Sequence, residues 1–93
     1  MKFMSVWTLK SENVKDAAAR FLAGEGQPAA GVTILGRWHK TDCSGGYVLY
    51  EGNDPAALYE SAAVWMDLLE IHSTAVVEDA QAGPILAKVF QKK

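Results

Sequence analysis

The side chains in this sequence with the most chemical potential stand in two short stretches. Arg37 and His39 are two apart in Gly-Arg-Trp-His, and Glu70 and His72 are two apart in Glu-Ile-His. Residues i and i+2 of a strand share a face, so each pair presents together. Histidine titrates near neutral pH, which makes His39 and His72 the candidate catalytic acid or base. Their different neighbours, Arg37 for one and Glu70 for the other, could divide those two roles. Two histidines and a carboxylate also match the donor set of a facial-triad iron site. The simpler expectation is a pair of strand-surface histidines at a protein–protein seam, where polar and aromatic residues are common without catalysis. Cys43 stands alone, so it can form neither an internal disulfide nor a zinc site. Its turn, Asp42-Cys43-Ser44-Gly45-Gly46, lacks the glycine spacing and following helix of a phosphate loop.

The elements that must position these residues can be read along the chain. Residues 2–8 are bulky and bounded by polar residues, as in a strand. Ser11-Glu12-Asn13 supplies capping types, and Val14, Ala18, Phe21 and Leu22 follow at helical spacing until Gly24, Gly26 and Pro28 end the helix. Residues 32–40 and 47–51 form a hairpin around the glycine-rich turn. Asp54-Pro55 starts a second helix, with Leu58, Ala62, Trp65 and Leu69 on one face. Alternation predicts a fourth strand over 69–77, and Gly83-Pro84 opens a last helix through Ile85, Leu86, Val89 and Phe90. The order β-α-β-β-α-β is the split-βαβ, ferredoxin-like arrangement, an α+β single domain over residues 1–93.

That topology places the second and fourth strands at opposite edges, about 14 Å apart. One ion needs its donors at about 2 Å, so no metal and no cofactor is expected. Both main helices should cover one sheet face and leave about 400 Å² of the other open. Phe3, Ser5 and Trp7, then Thr33, Leu35, Arg37 and His39, then Glu70, His72 and Thr74 are the expected open-face sets. Trp65 and Trp38 are expected under the helices. For residues 47–51, Tyr47-Leu49-Glu51 and Val48-Tyr50 both stand as possible cavity-facing sets. A mixed aromatic and ionisable face of this size is usually covered by a second copy of the chain.

Hydrophobic residues make up 49% of the 93 residues and charged residues 22%, which suits a packed domain and not a disordered chain. The net charge of −2, without a basic cluster, argues against a nucleic-acid partner. No apolar run reaches the ~18 residues of a membrane helix, and no leader pattern is visible, so the cytoplasm is expected. Lys92 and Lys93 read as a solvated tail.

The opening MKFMSVWTLKSENV, Gly36-Arg37-Trp38-His39, the Gly45-Gly46 turn with Glu51, Asp54-Pro55-Ala56-Ala57-Leu58 and the acidic VVEDAQA carry a resemblance. Over essentially its whole length the chain resembles the small bacterial domain-of-unknown-function family 3303 (DUF3303). The resemblance implies a dimeric α/β barrel, in which two ferredoxin-like sheets face each other across a central space. It implies no activity and no residue roles. The expected function is small-molecule binding between the two sheets by Phe3, Ser5, Trp7, Arg37, His39, Tyr50, Glu70 and His72. Two alternatives stand beside it: a cofactor-free monooxygenase- or dehydratase-like enzyme with a cavity histidine as base, and a homo-oligomeric interaction module without a ligand.

Overall fold

Strand-forming residues and capping signals set the frame of the computed structural model, which describes residues 1–91. The Lys92-Lys93 tail lies outside the described residues. The β-branched and aromatic stretches form β1 (Lys2–Leu9), β2 (Thr33–His39), β3 (Gly45–Glu51) and β4 (Leu69–Val76). These strands pair antiparallel in the order β2-β3-β1-β4, so β2 and β4 are the edges. A 3-10 turn at Ser11–Asn13 leads into α1 (Val14–Leu22), and α2 (Pro55–Ala63) connects β3 to β4. The last helix is α3 (Asp79–Phe90). The fold is α+β and ferredoxin-like.

Local chemistry fixes the helix ends. The Asp54 carboxylate accepts from the Ala56 N–H at 3.0 Å, and Pro55 occupies the first helical position, where its missing N–H costs nothing. The helix stops at Ala63, so Trp65, expected on its apolar face, falls in the following turn. There its indole donates to the Gly26 carbonyl at 2.8 Å. The final helix begins at Asp79, four residues before the expected Gly83-Pro84 start. A capping box explains the difference: Glu78 and Gln81 satisfy each other's backbone N–H groups. Pro84 is consequently carried inside the helix.

The strand register corrects the expected faces. Ser5 lies opposite Val48 and Ser73, and Trp7 lies opposite Gly46 and Ile71. Phe3, Ser5 and Trp7 therefore share the α1 side with Val48, Tyr50 and Ile71, and Met4, Val6 and Thr8 take the open side. The choice follows from space, because the Trp7 ring lies across the bare backbone of Gly46. In β2 the pairing shifts between Ile34, opposite Tyr50, and Gly36, opposite Leu49. The extra residue, Leu35, is a β-bulge, and it reverses the face of everything after it. Arg37 and His39 thus join the α1 side instead of the expected open face. Trp38, expected under the helices, is 54% exposed on the open side with its ring folded over Gly36. Glu70, His72 and Thr74 do face away from α1, and residues 47–51 resolve with Val48 and Tyr50 on the α1 side.

The apolar core is thin: among the described residues Ala17, Val32 and Val48 are its buried members. The closest backbone approaches are between paired strands, and Ala17 is the residue by which α1 joins the buried core.

Two glycines give an opposed pair of tests. In Gly46→Ala the new methyl would meet the Trp38 carbonyl oxygen and the Trp7 ring, so unfolding in urea should show a loss of about 2–4 kcal/mol. Gly83 lies inside α3 with open space around it, so Gly83→Ala should stabilise by about 0.5–1 kcal/mol. Equal effects of the two changes would contradict the register described above.

Candidate functional site

A cavity of about 350 Å³ lies between α1 and the sheet. Its floor is the α1 side of the strands: Ser5, Trp7, Val48, Tyr50 and Ile71. Its wall is the stripe of α1 that repeats at helical spacing, Val14, Ala17, Ala18 and Phe21. Trp65, from the turn after α2, closes one side. The exposed side chains of Phe21 and Leu22 stand at its mouth.

The polar groups of this mostly apolar space are few. Ser5 is fully buried, and its hydroxyl is satisfied by the Ser73 hydroxyl at 2.7 Å. The His39 ring is held edge-on between Trp7 and Phe21, with centroids 5.4 and 5.5 Å away. The Arg37 guanidinium carbon lies 5.2 Å from the Phe21 ring centroid, a cation–π contact. Burial pushes the Tyr50 phenol above its ordinary pKa, partly offset by the nearby Arg37 charge. At neutral pH Tyr50 is therefore a protonated hydroxyl, able to donate a hydrogen bond.

An outer brace holds the Trp65 wall in place. Arg20 of α1 donates from both terminal nitrogens to the two Asp67 carboxylate oxygens, each at 2.8 Å, and also to the Val64 carbonyl. Its guanidinium carbon is 5.4 Å from the Trp65 ring centroid. The Arg20 hydrogen bonds hold the Asp67 carboxyl below the usual carboxylate range. This planar fork ties α1 to the turn that carries Trp65.

Of the residues expected at a ligand site, Ser5, Trp7, Arg37, His39 and Tyr50 line this one cavity. Phe3 shares their face further along β1. Glu70 and His72 lie on the opposite face at the far edge, with Glu70 Oε1 and His72 Nε2 3.6 Å apart and both side chains mostly exposed. The four-residue constellation of Arg37, His39, Glu70 and His72 is thus split two and two. Among the described residues no three His, Cys, Asp or Glu side chains come together around a possible metal position. Sequence reasoning did not assign Phe21 or Trp65 to the site. The spacing of Phe21 seven residues after Val14, on the sheet-facing stripe of α1, was the available signal.

The family described as "Domain of unknown function (DUF3303)" matches residues 1–90. No curated protein matches the chain.

The cavity position of Tyr50 has a pH signature. Its raised folded pKa means that its contribution to stability is present below the unfolded value near 10 and is lost as pH rises through the folded one. An ultraviolet absorbance titration should show a late-ionising phenol that Tyr50→Phe removes. Persistence of that component in the variant would place the buried phenol elsewhere.

Proposed function

The chain belongs to this family of unassigned activity, and we propose that it binds a small organic molecule in the cavity beneath α1, acting as a cytoplasmic homodimer. The observation that carries the reading is the cavity itself. Its volume falls in the range of small-molecule sites, and its walls follow their usual composition: mostly apolar, with a few convergent polar groups. The reading moves the ligand from between two sheets to the space between one sheet and its own helix. The same geometry makes His39, and not His72, the histidine that a base-catalysed reaction in this cavity would use.

Surface area supports the second copy. The chain exposes 6754 Å², whereas a compact monomer of this mass exposes roughly 5,300 Å², an excess of about 1,500 Å². Its radius of gyration is 16.2 Å, against roughly 12 Å for a compact chain of this length. Burying such an excess from each of two copies falls within the range of stable homodimers. The uncovered apolar groups include Met4, Trp38 and Tyr47 on the open sheet face, and Ile85, Leu86 and Phe90 on α3. A lone helix of 12 residues is marginal in water, so α3 gains from a partner surface. No described helix is long and apolar enough to cross a membrane. The exposed free thiol of Cys43 suits a reducing compartment.

A thermal-shift screen of the purified protein against a broad metabolite library tests the binding reading. A true ligand at 100-fold its Kd adds ~2.7 kcal/mol. Ala18→Trp should fill the cavity from the α1 side and abolish the shift given by the same compound. A silent library, or a shift unchanged in Ala18→Trp, would refute binding beneath α1. Light scattering at micromolar concentration should give twice the chain mass, and a strict monomer would remove the homodimer.

A further inference from the structure

We infer that the ligand of the cavity beneath α1 is a planar organic monoanion, an aromatic or conjugated carboxylate, with Arg37 as its charge partner. The inference rests on the binding reading above and adds the chemical class. Among the lysines, arginines, aspartates and glutamates of the described residues, Arg37 alone lines the cavity. It is half-buried, and among the described residues no carboxylate forms an ion pair with it. Arg20 makes the contrast clear, because its fork is fully engaged by Asp67. An unneutralised guanidinium beside an apolar cavity favours an anion there, and its field is stronger than it would be in water.

The geometry narrows the anion further. The Arg37 guanidinium carbon lies 5.2 Å from the Phe21 ring centroid, and among the described residues no side-chain hydrogen bond engages its N–H groups, so they can serve a bidentate carboxylate. A phosphate or polyanion would bring more charge than one guanidinium could balance among these apolar walls. A cation would meet Arg37 with no acidic group to offset it. The walls are rich in flat groups, since Trp7, Phe21, Tyr50 and Trp65 line the space, and these favour a planar body over a branched or globular one. The protonated Tyr50 hydroxyl gives a second donor beside the charge.

The test compares 2-naphthoate with neutral 2-naphthamide by isothermal titration calorimetry on the full chain. The wild type should bind naphthoate at least roughly tenfold more tightly, the effect expected of a charged hydrogen-bonded pair. In Arg37→Met the ratio of the two affinities should fall to near one. Arg37→Gln gives the same readout should the methionine variant fold poorly, and the wild-type ratio needs no variant at all. Equal affinity of the two probes in the wild type would overturn the anion assignment and leave cavity binding standing. A preference that survives both substitutions would overturn the role of Arg37. Binding of neither probe would also overturn the planar-anion class, whereas binding beneath α1 falls only with a silent library or an Ala18→Trp variant that keeps the shift.

Discussion

One extra residue in β2 decides what this protein can do. Leu35 sits between Ile34, opposite Tyr50, and Gly36, opposite Leu49. A bulge of this kind switches every following side chain to the other face. Without it Arg37 and His39 would point away from α1, and Trp38 would take their place in the cavity. With it, half-buried Arg37 and exposed His39 line a mostly apolar space, and a large aromatic ring moves to the open face. The chemistry of the cavity depends on that single register shift.

The glycines of the sheet complete the arrangement. Gly46 leaves a shelf for the Trp7 ring on the α1 side, and Gly36 leaves one for Trp38 on the other. Trp7 then supports His39 edge-on, and Phe21 reaches from α1 to touch both His39 and Arg37. The helix is tied at both ends and buries Ala17 near its middle. The 3-10 turn feeds it from β1, and the Arg20–Asp67 fork ties its last turn to the chain beyond α2. The open sheet face and α3 also carry exposed apolar groups, among them Trp38 and Phe90.

The element order, the antiparallel ladder and the edge positions of β2 and β4 were legible because they follow from periodicity and from capping residues such as Asp54. The face of β4 was legible too, because Ile71 alternates cleanly with Glu70 and His72. The faces of β1 and β2 were not. In β1 both parities are bulky and apolar, and only the pairing of Trp7 with Gly46 breaks the tie. In β2 the alternation hides a one-residue insertion that costs nothing visible in composition. The start of α3 was missed for a related reason: the capping box of Glu78 and Gln81 begins the helix four residues before the expected Gly83-Pro84 opening.

The three tryptophans report directly on where a ligand sits. Trp7 and Trp65 line the cavity beneath α1, and Trp38 lies on the opposite face of the sheet. Fluorine NMR of the tryptophan-labelled protein, titrated with a compound that raises its melting temperature, reads all three at once. Binding beneath α1 predicts that the Trp7 and Trp65 resonances shift together while Trp38 stays in place. Movement of Trp38 alone would put the ligand on the open sheet face and contradict the account.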